Sequence, residues 1–326
     1  MKLSIIIPVY NAEKYLQKCL ESVFQQNLKT QDFEVVCIND GSTDSTSKIL
    51  KEFQKKYINI ILEDQENSGE AISRNRALVL SKGEYVTFLD SDDYYDEFAL
   101  SKALHSVESQ NLDILYLKIN HISEDYQFIQ SLPNLSNNEI LSGLQHERRP
   151  FPATIYKKTV IGDILFPLNI IVGPDSVFNA LVQSNAKRVS YSSELVYNYL
   201  VRPNSLSKKA ITEEGYQGFM NAISILDEYK HQHFSPENAE AQQYFDKVIL
   251  VFITRIVELH ILPNLYQPKY VELKKLLLEK GYWHLATSIA EKYPYFDVSF
   301  SKFSRHQKKL IFKTKVYQLI QKIKKL

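Results

Sequence analysis

Between Leu3 and Ile119 the chain alternates short apolar runs with amphipathic stretches, and this alternation limits the fold more than any other feature. Leu3 to Val9 is a continuous apolar run, suited to a strand buried on both faces. Residues 12–27 then read as a helix, with Tyr15, Leu16, Cys19, Leu20 and Val23 on one side. Strands follow at Phe33 to Ile38, Ile58 to Leu62, Tyr85 to Leu89 and Ile114 to Ile119. Helices are predicted between them at 43–57, 70–81 and 96–109, the first opened by Thr43 and Asp44. Such alternation predicts an α/β layered fold with a mainly parallel central sheet flanked by helices.

From about 120 to 200 the pattern loosens, with short strands and a helix near 175–185. From about 213 onward everything reads as helix, at 214–231, 237–262, 268–280 and 282–292. The boundary falls near 205–212, giving an α/β region over 1–210 and an all-helical C-terminal region over 211–326. The 326 residues, 44% hydrophobic and 24% charged, are ample for such a core and exclude a disordered or fibrous chain. Two cysteines, Cys19 and Cys37, sit among apolar residues and cannot make a disulfide framework.

The net charge of +1 hides an asymmetry. No acidic residue follows Asp297, while nine Lys and Arg do, leaving 30 basic against 38 acidic residues before that point. Phe312, Val316, Leu319, Ile320, Ile323 and Leu326 recur at helical spacing in this tail, which predicts a basic amphipathic helix over 301–326. Such a helix suits an anionic membrane surface; the alternative is a helix docked on its own domain with its lysines in water. Pro8 stops the first apolar run too early for a signal peptide, and no run approaches the ~20 apolar residues of a membrane span. The expectation is a cytoplasmic chain, peripheral on the inner face of the membrane if the tail binds there.

In an open parallel sheet, ligands bind beyond the carboxyl ends of the strands. Those ends carry Pro8-Val9-Tyr10-Asn11, Asn39-Asp40-Gly41-Ser42 and Asp90-Ser91-Asp92-Asp93, so carboxylates converge on the predicted crevice. The glycine-rich phosphate cradles of dinucleotide sites and P-loops are both absent, so a diphosphate would have to be met another way. Acidic side chains can do this by holding a divalent cation; Asp90 and Asp92, one residue apart on a turn, favour Mn²⁺ or Mg²⁺. The alternative is that the turn merely caps the next helix. The histidines show no zinc spacing.

The order of these blocks resembles family 2 glycosyltransferases of the inverting, bacterial surface-polysaccharide type, with the GT-A fold. Residues 3–207 carry the resemblance: Ser4 to Asn11, Ile38 to Asp44, Asn67-Ser68-Gly69 with Ser73-Arg74-Asn75, and Gly83 through Asp93. Gly173 to Asn179 and Tyr197-Asn198-Tyr199 with Arg202 and Ser205 complete it. Within 1–210, the resemblance implies a nucleotide-binding half over 1–95 and an acceptor half over 96–210.

By the same resemblance Pro8, Val9 and Tyr10 form a platform for the nucleotide base, and Asp40 accepts from the uracil imide N–H. Asn67 and Arg74 are further nucleotide contacts; Arg74 has a fork that suits phosphate, or else forms a salt bridge on a helix face. Asp90, with Ser91 beside it, contacts ribose or the metal, and Asp92 is the metal ligand proper, while Asp93 has the weaker claim. Asp175 stands at the general-base position, or is a plain helix cap; Pro174 replaces the glutamate that commonly precedes it. Arg202 and Ser205 belong to a loop that closes over the donor.

The resemblance therefore implies a metal-dependent, inverting transfer of one hexosyl or N-acetylhexosaminyl unit. Its partners are a nucleotide-sugar donor, a UDP-sugar by preference, and a glycan or lipid-linked glycan acceptor; no nucleic acid is implied. The Q-x-x-R-W motif of processive members is absent, the only Trp being Trp283, which favours non-processive addition. Two rivals are a nucleotidyltransferase that makes sugar nucleotides and a non-catalytic glycan-binding descendant of the fold. The first would need a glycine-rich loop after strand one, and the second has no use for Asp40, Asp90, Asp92 and Asp175 together.

Overall fold

The computed structural model describes residues 1–132, 139–145, 151–202, 212–261 and 267–285. The first four strands are β1 (Leu3–Val9), β2 (Phe33–Asp40), β3 (Ile60–Gln65) and β4 (Tyr85–Phe88), separated by α1 (Leu16–Phe24), α2 (Thr46–Lys56) and α3 (Glu70–Leu80). All fifteen residues of β1 and β2 are buried, as a continuous apolar run requires when helices cover both faces. The period of two is visible in the packing. Leu3, Ile5 and Ile7 of β1 join Val35 and Cys37 of β2 in the core under α1, while Ile6, Val36 and Ile38 face α3.

The chain continues through β5 (Tyr94–Tyr95), α4 (Ala99–Gln110), β6 (Ile114–Ile122), β7 (Phe128–Ser131), β8 (Thr154–Lys157), α5 (Lys158–Ile161), α6 (Pro174–Asn185) and β9 (Val189–Leu200). One sheet contains all these strands in the order β3-β2-β1-β4-β8-β6-β9-β5, with β7 paired to β6. From β3 through β2 and β1 to β4 the sheet is parallel. Beyond β4 it is mixed: β8 runs antiparallel to both β4 and β6, β9 is parallel to β6, and β5 is antiparallel to β9. No helix is described between β6 and β8 to carry the chain back to its starting edge, so β8 runs against its neighbours.

The helical region comprises α7 (Glu213–His233), α8 (Ala239–Ile256), a π turn at Val257–Ile261, and α9 (Gln267–Glu279). Its core is built on α6: Val177, Ala180 and Leu181 pack with Phe219, Ile223, Phe245 and Ile249. Tyr244 of α8 donates to the Ala180 carbonyl at 2.8 Å. The helix that begins with Pro174-Asp175 is thus held between the sheet and the helical bundle. Among the described residues no helix is long and apolar enough to cross a membrane. The predicted basic helix at 301–326, and Ser205, lie outside the described residues.

Candidate active site

The loop after β1 and the loop after β2 are zipped together. Asn11 adopts a left-handed conformation (φ 46°), its amide oxygen accepts from Thr43 N–H at 2.8 Å, and Ala12 N–H donates to Thr46 Oγ1 at 2.8 Å. This tie delays the start of α1 to Leu16, four residues after the sequence pattern suggested. Pro8 and Val9 are buried beneath the mouth of the cleft, and Tyr10 stands exposed at its rim.

Asp40 is 4% exposed and held by three donors. Its Oδ1 accepts from Ser68 N–H at 2.8 Å and Gln65 Nε2 at 2.7 Å, and its Oδ2 accepts from Gly69 N–H at 2.9 Å. The carboxylate therefore shapes the turn that carries Asn67, which is exposed at the rim. Gly41 is required beside it: its φ is +72°, and a β-carbon there would lie 2.7 Å from Asn67 N.

The acidic turn after β4 is balanced by arginines from two other elements. Arg74 of α3 donates from Nη2 to Asp90 Oδ1 at 2.7 Å and also pairs with Glu70. Its side chain is 3% exposed, and its guanidinium lies 4.9 Å from the Phe151 ring and 5.5 Å from that of Phe166. Burial alone would lower its pKa, but Glu70, Asp90 and Asp175 outweigh burial and keep it charged. The i,i+4 pair with Glu70 is the salt bridge on a helix face that the sequence offered as the alternative for Arg74. Its buried charge bridges the carboxylates of Glu70 and Asp90.

Asp92 pairs with Arg202, whose guanidinium also lies 5.5 Å from the Tyr15 ring. Burial, then the charge of Asp90, pushes the Asp92 carboxyl up to about 6 against the pull of Arg202. Ser91 between them is half-buried. Asp93 is a structural carboxylate: Tyr197 donates its hydroxyl to it at 2.6 Å, and Leu200 N–H donates at 2.8 Å. It fastens the end of β9, and so Arg202, to the acidic turn. The capping alternative for this turn fails, because α4 begins at a left-handed Phe98 with no side-chain cap.

Asp175 is half-buried in the first turn of α6, whose start is set by Gly173 (φ 85°) and Pro174 without a side-chain cap. Its charge is felt at both Glu70 and Arg74, so it belongs to the same electrostatic group as Asp90. Glu70 was missed by sequence reasoning, although it follows Asn67-Ser68-Gly69 directly. Burial, resisted by Arg74 and reinforced by Asp90, Asp175 and Asp92, pushes its carboxyl up to about 7. Asp90, Asp92 and Asp175 thus all act on the charge of Glu70. Asp90 and Asp92 offer the hard oxygens that suit a divalent ion, but among the described residues no group of three or more His, Cys, Asp or Glu is placed to hold one.

The Glycosyl transferase family 2 model matches residues 4–162, which contain β1 to β8 and the whole acidic turn. This chain belongs to glycosyltransferase family 2. Family members similar to it include the poly(ribitol-phosphate) beta-glucosyltransferase of Bacillus spizizenii, 33% identical over 233 residues, covering 68% of this chain and 36% of that one. The poly(ribitol-phosphate) beta-N-acetylglucosaminyltransferase TarS of Staphylococcus aureus is 30% identical over 261 residues, covering 72% of this chain and 44% of its own. The crystal structure of residues 1–349 of S. aureus TarS with UDP superposes at a TM-score of 0.63 and 27% identity, over 80% of this chain and 73% of that one. The chain spans less than half the length of these two curated family members.

Proposed function

We propose that this family 2 member is an inverting glycosyltransferase that takes one sugar from a UDP-sugar and adds it to a hydroxyl of a polyol-phosphate or other glycan polymer, without processive extension. The observation that carries this reading is the acidic turn Asp90-Ser91-Asp92 at the carboxyl end of β4, tied to α3 by Arg74 and to the segment after β9 by Arg202. The similarity to TarS, whose crystal structure contains UDP, supports uridine as the base. Sugar transfer to poly(ribitol-phosphate), as named for two relatives, supports a polymeric acceptor.

Tyr10 offers an aromatic face to the base at the rim. Asp40 accepts three hydrogen bonds of the roughly four that a carboxylate can take, which leaves capacity for the imide N–H of uracil. Asp92 and Asp90 are the residues that would hold Mn²⁺ or Mg²⁺, whose charge would stabilise the diphosphate leaving group. Arg202, at the end of β9, offers a planar cation to the diphosphate once released from Asp92. Asp175 approaches from the acceptor half and takes the proton from the attacking hydroxyl. A single base on the side opposite the leaving group is what a direct displacement with inversion needs.

Incubation with UDP-, GDP- and dTDP-sugars in Mn²⁺ tests the reading. Slow hydrolysis of a UDP-sugar to UDP is expected, with transfer when a poly(ribitol-phosphate) acceptor is added. Pyrophosphate exchange in place of hydrolysis, or no turnover of any donor, would contradict it.

A further inference from the structure

Helix α3 serves both halves of the cleft through two adjacent residues. Arg74 reaches Asp90 on the donor side. Asn75 reaches across 91 residues of sequence to the segment between α5 and α6: its Nδ2 donates to the Phe166 carbonyl at 2.9 Å, and its Oδ1 accepts from Phe166 N–H at 2.8 Å. Both backbone groups of one loop residue are satisfied by one amide. Only a side chain with a donor and an acceptor side by side can do this.

The contact continues toward Asp175. The ring of Phe166 stacks face to face on Phe178, with centroids 4.0 Å apart and planes 7° apart. Phe178 is fully buried on α6, one turn after Asp175. Phe166 also lies under the Arg74 guanidinium. A rigid path therefore runs from Asn75 through Phe166 and Phe178 to the turn that bears Asp175, starting beside the residue that holds Asp90.

We propose that Asn75 is a positioning residue: its paired hydrogen bonds to Phe166 set the location of Asp175 relative to the acidic turn that faces the donor. The proposal rests on the reading of Asp175 as the base. It concerns geometry alone, because the donor and acceptor of the Asn75 amide are both engaged by the Phe166 backbone.

The test uses the full chain and three variants, Asn75→Ala, Asp175→Asn and the double variant. In Asn75→Ala, exchange of the Phe166 amide hydrogen should quicken, while UDP affinity in Mn²⁺ stays within about 2-fold of wild type, which also verifies folding. The kcat for transfer should fall by about 10-fold or more with donor KM unchanged, as misplacement of a catalytic group by a fraction of an ångström demands. In the Asp175→Asn background, Asn75→Ala should lower transfer by no more than about 2-fold further, because both changes act through one group. Asn75→Asp, which keeps the bond from Phe166 N–H but faces the Phe166 carbonyl with a carboxylate, should show the same pattern.

A normal kcat in Asn75→Ala beside a disabled Asp175→Asn overturns the positioning role alone. Fully additive losses in the double variant also overturn it, since they mark a general structural effect. Near-normal transfer by Asp175→Asn overturns the base assignment, and the positioning role falls with it.

Discussion

The carboxylates of the cleft differ in environment more than in type. Asp40 is held by backbone and amide donors, Asp93 by a tyrosine hydroxyl and a backbone N–H, and Asp90 and Asp92 by arginines. Sequence reasoning proposed candidate site residues because their order along the strand ends resembles the family. It could not find their partners, since Arg74 and Asp90, or Asp92 and Arg202, meet only when the sheet closes. The cysteines were legible from their apolar neighbours alone. Both are buried, and burial pushes the Cys37 thiol up to about 12 and Cys19 well above its usual range. The folded chain therefore keeps these protons after an unfolded thiol has lost its own. Their contribution to stability is complete below about pH 9 and is lost as pH rises toward about 12. At pH 8 neither thiol should react with a disulfide reagent such as DTNB until urea unfolds the chain. Prompt labelling of the native protein would contradict this burial.

Strands and helices of the first half lie close to where periodicity puts them, because there each element buries one face against an immediate neighbour in sequence. The second half was harder to read. β8 has only four residues and β5 two, and their partners are chosen by sheet edges left open elsewhere. Nothing local marks the antiparallel arrival of β8, the π turn after α8, or the delay of α1 by its bonds to the neighbouring loop. The best-defined joint is the aromatic one, where Phe178 stacks on Phe166 and meets Phe88 of β4 edge-on at 5.7 Å. Replacing Phe178, which is fully buried, with alanine should cost about 3–5 kcal/mol of stability in urea unfolding. A loss below about 1 kcal/mol would mean that α6 is held to the sheet by other contacts.

Taken whole, the molecule is a sheet whose parallel half carries Asp40, Asp90 and Asp92 at its strand ends and whose mixed half brings α6 and β9 toward them. The division of labour follows from topology: Asp40, Asp90 and Asp92 come from the parallel half, Asp175 and Arg202 from the mixed half, and α3 is bonded to both. The helical region supports α6 from behind, through Tyr244 and the core around Phe219 and Phe245. Under the proposed function, Asp90 and Asp92 hold a cation against the diphosphate of a UDP-sugar. Calorimetric titration of UDP, with and without Mn²⁺, into the wild-type protein and Asp92→Asn measures this directly. The wild type should bind UDP much more tightly with Mn²⁺ than without it, and Asp92→Asn should lose that difference; equal manganese dependence in both proteins would contradict it.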